Sequence, residues 1–459
     1  MSRGLGDVYK RQELPSAERS KRIIEAIESR EGVPEHLSTQ ARKTIAVFQA
    51  IGFCRRKYGK RAIGPFIVSM TQGADDILSV LLLAQWSELH NRRGEVPLDV
   101  APLLETVDDL QRGPEILNEL LSSEFYREHL KTRGERQTVM IGYSDSNKDG
   151  GLASARWALQ SAQQTLVNAV ESHGIELTLF HGRGGTISRG GSKTHVAVLG
   201  APPGTVNGRL RVTEQGEIIN EKYGLRGIAL RTLEQVVGSL ALATAMPRHR
   251  GNDDPEWHAM MEVVAEESRK AYRKLIYDTP EFYDYFRLAT PIDVIERMRI
   301  GSRPSSRHKQ GGVHALRAIP WVFAWTQARF VLPGWYGIGS GLAKAAEQFE
   351  DAAFRKMLEE WYFMRALTAD AEMVLAKTDL GIAKLYSKLS GDLHDTFFPI
   401  IKDEFELTRN LILEYSDHDA LLEGDITLQR AIMLRNPYVD PMSLMQVDLL
   451  QRWRASDRE

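Results

Sequence analysis

The 459-residue sequence predicts an α/β fold in which parallel strands alternate with helices, followed by a mostly helical region. Two observations lead to this prediction. Short apolar runs alternate with amphipathic helical patterns over the first two thirds of the chain, and such alternation favours parallel βα units. From about residue 228 onward the patterns are almost wholly helical. The length suits two or three ordinary domains, or one large barrel with additions.

Five segments have the length and apolar content of strands. In order, they read PFIVSM at 65–70, VAPLLETV at 100–107, TVMIGYSD at 138–145, IELTLFHG at 175–182 and GRLRVTEQGE at 208–217. Helical patterns such as ADDILSVLLLAQWSEL separate most of them. We expect the ends of these strands to deliver their polar residues to one rim, where the chemistry of a (β/α) barrel lies.

Composition and charge exclude several classes of protein. The formal net charge of -2 disfavours a general nucleic-acid or membrane-surface binder. The single cysteine, Cys54, excludes a disulfide framework and fits a reducing, cytoplasmic setting. No apolar run is long enough to cross a bilayer. Residues 1–12 lack both periodicity and an apolar core, so we interpret them as a non-native leader, and the last residues stop inside a helical pattern.

Two carboxylates follow neighbouring predicted strands. Glu105 ends one apolar run and Asp145 ends the next. Both are hard oxygen donors, and two carboxylates with waters and substrate oxygens are a usual way to hold Mg²⁺ or Mn²⁺ beside a phosphate. The alternative is that each is a solvated carboxylate, or that Asp145 caps a helix. These residues alone do not decide between the two interpretations.

The segment FHGRGGTISRGG at 180–191 contains five glycines, two arginines and a histidine. Glycine backbone N–H groups can approach an anion closely, and Arg183 and Arg189 add planar bidentate donors. Glycine also permits a loop to close over a substrate. A plain exposed turn needs only one or two glycines, so we favour an anion-binding loop. The segment matches neither the nucleotide phosphate loop nor the dinucleotide fingerprint, so no nucleotide is implied.

A further cationic cluster has five members within fifteen residues: Arg303, Arg307, His308, Lys309 and Arg317. An exposed charged loop is the ordinary interpretation. Arg317, however, adjoins the apolar RAIPWVFAW segment, and a buried guanidinium there requires an anionic partner. Lys222 and Lys377 are single lysines near apolar stretches, and most such lysines only lay their stems along the surface.

Taken together, these segments resemble the phosphoenolpyruvate carboxylase family. VMIGYSDSNKDGG, FHGRGGTISRGG, LRVTEQGEII, GSRPSSR, GGVHALRAIPWVFAWTQ and LRNPYVDPMSLMQVDLL occur in the family's order and spacing. The resemblance runs from about Glu13 to Glu459 and corresponds to the C-terminal half of the family's chain. It implies a helix-rich (β/α) barrel of the TIM type, here incomplete, over 13–335. A truncated α-helical C-terminal region with inhibitor-site residues follows over 336–459.

The resemblance also implies an activity, the carboxylation of phosphoenolpyruvate by bicarbonate to oxaloacetate and phosphate. The family's reaction passes through carboxyphosphate and the enolate of pyruvate, requires Mg²⁺ or Mn²⁺, and feeds the tricarboxylic acid cycle. Aspartate or malate inhibits many members. We therefore expect a cytoplasmic, allosteric enzyme that forms a homotetramer when full length.

Individual residues take roles through this resemblance. Glu105 and Asp145 match the metal-binding carboxylates. Seven residues match active-site positions: Lys148, His181, Arg183, Arg189, Lys222, Arg303 and Arg317. Within this set Arg183 and Arg317, with Gly184 and Gly185, match substrate-binding positions. Lys377 and Arg435, together with Arg189, match the inhibitor site.

The sequence also departs from the family. The catalytic histidine motif of the TAHPTE type does not occur in it, and Ser305 stands where alanine is common. We therefore expect little or no carboxylase activity from these 459 residues alone. A non-catalytic effector-binding or scaffold remnant of the fold is the alternative. A pyruvate-phosphate dikinase or pyruvate kinase relative would need a nucleotide site or a phosphohistidine motif, and neither occurs.

Overall fold

A computed structural model describes residues 14–246, 254–298 and 312–456. The chain divides into two compact units. The first comprises the described residues of Met1–Gly142, Ser161–Gly182 and Arg209–Val212, and the second those of Tyr143–Gln160, Arg183–Gly208 and Thr213–Glu459. The domain boundary expected between residues 335 and 336 stays a prediction.

The first unit contains a parallel sheet of five strands. They are β1 (Phe66–Val68), β2 (Val100–Leu104), β3 (Arg136–Gly142), β4 (Glu176–Gly182) and β5 (Arg211–Val212). Four strands fall within their predicted segments, while β3 begins at Arg136, two residues before the predicted segment 138–145, and ends inside it. The parallel α/β class is confirmed. Each strand pairs with its successor in the chain, so the order β1-β2-β3-β4-β5 has no reversal. An open doubly wound sheet reverses at a switch point, so this order fits barrel-type winding, while the closed barrel stays a prediction.

Helices precede, separate and follow the strands along the chain, and most of the described residues after β5 are helical. The first ten are α1 (Ser16–Glu28), α2 (Thr39–Tyr58), α3 (Ala74–Trp86), α4 (Val107–Ser122), α5 (Glu124–Thr132), α6 (Ser144–Gly150), α7 (Leu152–Glu171), α8 (Thr194–Leu199), α9 (Gly216–Tyr223) and α10 (Arg226–Ala245). The remainder are α11 (Pro255–Ile276), α12 (Phe282–Ala289), α13 (Ile292–Arg297), α14 (Ala318–Gln327), α15 (Ile338–Gln348), α16 (Asp351–Glu360), α17 (Tyr362–Lys377), α18 (Leu380–Lys388), α19 (Leu393–Ser416) and α20 (Ile426–Ser456). The predicted change to helical structure near residue 228 is confirmed. Within the described ranges, no helix combines the length and apolarity needed to cross a membrane.

A capping box fixes the turn between β2 and α4. All five residues of β2 are buried, as expected for a strand covered on both faces. Thr106 Oγ1 accepts from the amide of Asp109 at 3.1 Å, and Asp109 Oδ2 accepts from the amide of Thr106 at 3.0 Å. The same carboxylate accepts from the amide of Glu105 at 3.3 Å. The backbone that carries the Glu105 carboxylate is therefore held on its helix side.

The second unit has an aromatic core. Its largest fully buried rings belong to Trp321, Trp325, Trp335, Trp361, Tyr272, Tyr285, Tyr386, Phe282 and Phe286. The rings of Trp321 and Trp325 on α14 pack edge to face with centroids 5.6 Å apart, and Phe286 lies 4.7 Å from Trp321. Burial of the RAIPWVFAW segment, predicted from its composition, is confirmed.

His129 is a titratable group buried in the first unit away from the strand ends. His129 on α5 lies beside the ring of Tyr126, with centroids 5.6 Å apart. Its Nε2 has no hydrogen-bond partner among the residues that the structure describes. Burial, reinforced by the nearby charge of Arg133, lowers the pKa of His129 to about 4.

This burial predicts a pH-dependent stability. Above pH 6.5 the imidazole is neutral in both states, whereas between pH 6.5 and 4 only the unfolded chain binds the proton. The free energy of unfolding should therefore fall with decreasing pH, by about 1.4 kcal/mol per unit from this group. Urea unfolding at several pH values should show a shallower dependence in His129→Leu. The exposed His36→Leu is the control, and equal slopes in the two variants would contradict the prediction.

Candidate active site

The carboxyl end of the sheet in the first unit carries Glu105 and His181. Leu104, Ile141, His181 and Val212 form one row across four strands, and Glu105 follows Leu104 directly. Both side chains are buried. Glu105 Oε2 accepts a hydrogen bond from Ser69 Oγ at 2.7 Å. The strand end thus holds a carboxylate and an imidazole in a setting of low solvent exposure.

Arg183 follows β4 and belongs to the second unit, where it is only 6% exposed. Its Nε donates to the carbonyl of Gly190 at 2.6 Å. Its Nη2 donates to the carbonyl of Ser192 at 2.8 Å and to Ser192 Oγ at 2.6 Å. Within the described part of the chain its Nη1 donates no hydrogen bond, so that edge remains for a ligand. Burial lowers the pKa of Arg183 below that of an ordinary arginine.

Arg189 packs inside the same loop. It ends the 3₁₀ turn Ile187–Arg189 and is 2% exposed, and its guanidinium carbon lies 5.9 Å from the ring centroid of Phe323. The amide of Gly184 donates to the carbonyl of Arg189. A Cβ at position 184 would lie 2.8 Å from Arg189 Nε, so only glycine leaves room for this side chain. The structure therefore brings Arg183 and Arg189 together in one closed loop.

Lys148 lies on α6, and ion pairs fix that helix to α11. Asp149 pairs with Arg273 at 2.5 Å and with Arg269 at 3.5 Å. Tyr277 Oη donates to the carbonyl of Lys148 at 2.9 Å, and Lys148 Nζ donates to the carbonyl of Val313 at 3.2 Å. Lys148 is therefore a buried cation on a rigid support.

Asp145 occupies the first turn of the same helix and is half-buried. The N-cap position belongs to Tyr143, and no side chain caps the helix. The alternative interpretation of Asp145 as an N-cap is therefore wrong.

The remaining predicted site residues are described one by one. Lys222 on α9 pairs with Glu214 at 3.1 Å, and Tyr223 Oη donates to the same carboxylate. Arg317 is half-buried and precedes the first residue of α14. Gly185 lies in the glycine-rich loop, in direct contact with Gly191. Arg303 lies outside the described residues.

Lys377 and Arg435 both lie in the second unit, and the charge of Arg435 reaches Lys377. Lys377 ends α17, and Arg435 lies on α20. Burial, and then the positive charge of Arg435, lower the pKa of Lys377. The carboxylates of Glu221 and Asp370 act on Lys377 in the opposite direction. Val374, one turn before Lys377, and Ser188 of the glycine-rich loop both face Gly334.

Sequence reasoning missed the residues that support the loop. Ser192 Oγ donates to Asp370 on α17, and Arg156 on α7 pairs with Asp370 at 2.8 Å. The guanidinium carbons of Arg156 and Arg183 both lie near the ring of Tyr143, 5.8 Å and 6.0 Å from its centroid. We call Tyr143, Arg156, Arg183, Ser192 and Asp370 the Asp370 network. Charged residues on amphipathic helices usually face solvent, so the sequence offered no signal for it.

The described residues contain no group of three or more His, Cys, Asp or Glu side chains that could hold a metal. Mg²⁺ seldom needs such a cage, because it commonly takes one or two carboxylates and completes its shell with water and substrate oxygens. Glu105 in the first unit and Asp145 in the second unit are each carboxylates of this donor type.

These features define a class of protein. It is an α/β protein with buried cations and carboxylates at and after the ends of its parallel strands, and a glycine-rich loop closed around two arginines. Within the second unit Lys148, Arg183 and Arg189 are buried cations, and such groups are suited to bind small anions.

Comparison with known proteins narrows this class to one family. A family model described as phosphoenolpyruvate carboxylase matches residues 2–459, so the chain belongs to the phosphoenolpyruvate carboxylase family. It is 52% identical over 415 residues to the phosphoenolpyruvate carboxylase of Xanthomonas oryzae, covering 90% of this chain and 46% of that protein. It is 42% identical over 429 residues to the Roseiflexus castenholzii enzyme, covering 90% and 45%. For Prochlorococcus marinus strain AS9601 the identity is 39% over 439 residues, covering 92% and 44%. The chain thus spans about half the length of these curated relatives.

The loop geometry predicts the effect of one glycine replacement. Gly190 has φ +83°, and a Cβ there would lie 2.6 Å from Tyr143 Cδ1. Gly190→Ala should therefore lower the free energy of unfolding by about 1–3 kcal/mol. The control Gly238→Ala lies in an exposed part of α10 with open space around its Cβ, and should stabilise by about 0.5–1 kcal/mol. Denaturant unfolding measures both, and a neutral Gly190→Ala would contradict the observed loop.

Proposed function

We propose that this chain is the part of a phosphoenolpyruvate carboxylase that binds substrate and metal and carries the glycine-rich loop. The observation that carries the proposal is the Arg183 guanidinium. It is buried after the end of β4, braced by the loop on Nε and Nη2, and has its Nη1 edge left for a ligand. A preorganised guanidinium in a buried site is suited to bind phosphoryl or carboxylate oxygens.

The substrate is phosphoenolpyruvate, a small trianion. Arg183 and Arg317 bind its phosphoryl and carboxylate oxygens, with the backbone of Gly184 and Gly185 alongside. Lys148, His181, Lys222 and Arg303 complete the set of catalytic groups. The burial of Lys148 and its fixed amine support this assignment, because a desolvated cation interacts more strongly with an anion than an exposed one.

The reaction has three steps. A bicarbonate oxygen attacks the phosphoryl phosphorus, and the bond from phosphorus to the enol oxygen breaks, releasing the enolate of pyruvate and carboxyphosphate. Carboxyphosphate separates into carbon dioxide and phosphate. The enolate C3 then attacks carbon dioxide and forms the carbon–carbon bond of oxaloacetate. The loop with Arg189 excludes water meanwhile, because a proton delivered to C3 would produce pyruvate instead.

Mg²⁺ or Mn²⁺ is the cofactor, with Glu105 and Asp145 as its protein ligands. When bound, the cation supplies positive charge that stabilises the negative charge of the reacting oxygens. The support for this assignment is the donor type of both side chains and the low exposure of Glu105.

Aspartate or malate inhibits the enzyme by binding Lys377, Arg435 and Arg189. The charge of Arg435, which lowers the pKa of Lys377, supports this part, because a dicarboxylate would offset the repulsion between the two cations. The fold of the complete enzyme is a TIM-type barrel with a helical C-terminal region, in a cytoplasmic homotetramer.

We expect these 459 residues alone to have little activity, because the family's catalytic histidine motif does not occur in their sequence. The test joins this chain to the N-terminal half of the Xanthomonas oryzae relative, and we call the product the hybrid enzyme. The hybrid enzyme should form oxaloacetate from phosphoenolpyruvate only with bicarbonate and a divalent cation. Arg183→Lys should lower kcat/KM by about 10²–10³-fold, because a lysine cannot brace the loop and contact substrate at once.

The control for that variant is Arg452→Lys, which changes an exposed arginine on α20 and should leave kcat/KM within twofold. Oxaloacetate formation by the 459-residue chain alone would contradict the expectation that a necessary histidine is missing. A folded hybrid enzyme that forms no oxaloacetate would contradict the proposed function.

A further inference from the structure

The Asp370 network closes on itself around the far end of the glycine-rich loop. Arg183 Nη2 donates to Ser192 Oγ, and Ser192 Oγ donates in turn to Asp370. Asp370 accepts from Arg156 Nη2 at 2.8 Å, and Arg156 and Arg183 lie against the ring of Tyr143. The network therefore connects the guanidinium expected to contact substrate with α7 and α17, which lie outside the loop.

We propose that Asp370 and Arg156 are positioning residues that hold the glycine-rich loop in place and orient Arg183. Neither residue belongs to the substrate, metal or inhibitor sites described above. Asp370 acts through Ser192, the residue directly after the FHGRGGTISRGG segment, while Arg156 keeps the Asp370 carboxylate in position.

Electrostatics supports this role. The side chains of Arg156 and Asp370 are each only 13% exposed, so the ion pair is largely desolvated. Removing one member of such a pair leaves an uncompensated buried charge, which is strongly unfavourable. Asp370 also attracts Arg183 and Lys193, and without it the two guanidinium groups near Tyr143 would repel each other with no carboxylate beside them. One carboxylate therefore keeps two buried arginines within one small volume.

A hydrogen bond through Ser192 transmits the effect of Asp370 to Arg183. Ser192 Oγ has one proton, and because Asp370 takes it, the oxygen lone pairs remain available to Arg183 Nη2. If the Ser192 hydroxyl rotated away from Asp370, the hydrogen bond from Arg183 Nη2 to Ser192 Oγ would weaken. Arg183 Nη2 would then be held by the Ser192 carbonyl alone. Asp370 thus acts on the orientation of Arg183 through the Ser192 hydroxyl, in addition to the carbonyls of Gly190 and Ser192.

Limited trypsin digestion of the 459-residue chain tests the effect on the loop directly. Asp370→Asn and Ser192→Ala should speed cleavage after Arg189 and Lys193 by about tenfold, because the loop opens more often. Ser192→Thr keeps the hydroxyl and should behave as the unaltered chain. Asp425→Asn is the matched control, since Asp425 only forms an exposed 3.3 Å ion pair with Lys193 and Asn keeps the oxygen that caps α20.

A double variant distinguishes an effect on the loop from an effect on the stability of the fold. Arg156→Met with Asp370→Leu replaces the ion pair by apolar side chains of similar size, a change that is often neutral or stabilising. Its thermal midpoint should stay near that of the unaltered chain, yet cleavage should be fast because Ser192 has lost its acceptor. If the double variant, Asp370→Asn and Ser192→Ala are all cleaved at the original rate, the positioning role is wrong.

The effect on catalysis rests on the proposed function and is measured in the hybrid enzyme. Asp370→Asn and Ser192→Ala should lower kcat/KM for phosphoenolpyruvate by about 10–100-fold and raise the ratio of pyruvate to oxaloacetate, while Ser192→Thr should restore both. A merely structural role would lower stability without moving the product ratio, so an unchanged ratio in an active hybrid would overturn the inference. If the unaltered hybrid is folded but inactive, the proposed function fails, while the trypsin result still decides the positioning role.

Discussion

The second unit depends on one physical constraint, that a buried guanidinium must have hydrogen-bond acceptors. Arg183 meets this requirement within its own loop, by donating to the carbonyls of Gly190 and Ser192 and to the Ser192 hydroxyl. The chain must turn back sharply to present these acceptors, which explains the glycines. The conformation of the loop therefore depends on the hydrogen bonds of Arg183. The same conformation buries Arg189.

Rigid supports surround this loop on the same unit. Ion pairs from Asp149 fix α6 and the amine of Lys148 against α11. The carbonyl of Val313 accepts from the Lys148 amine, and Val313 packs in the same aromatic core as Trp321 and Trp325. α17 carries Asp370 near its middle and Lys377 at its end, two helical turns apart. Charged groups expected to serve the reaction and its inhibition are therefore mounted on well-packed helices, which preorganises them for binding anions.

The sequence predicted the parts of this molecule that depend on local chemistry. The strands were predicted because they lie in short, largely apolar runs. The FHGRGGTISRGG loop was predicted because a plain turn needs only one or two glycines and this segment has five. The inward packing of Arg189 was not predictable, since it depends on Phe323, more than a hundred residues away in the chain. The pairing of Arg156 with Asp370, 214 residues apart, was invisible for the same reason, because neither residue interrupts its helical pattern. Arg303 was predicted from a motif, and its place in the site stays a prediction.

The central claim is that the loop is already ordered by Arg183 and needs no ligand to take this form. Amide hydrogen exchange, followed by mass spectrometry on the 459-residue chain without substrate or metal, tests this claim most directly. The amides of Gly184, Gly190 and Gly191 donate to carbonyls within the loop, so peptides covering 183–192 should exchange far more slowly than an unstructured peptide. Exchange at the rate of an unstructured peptide would contradict the account, because the loop would then take its form only when an anion binds.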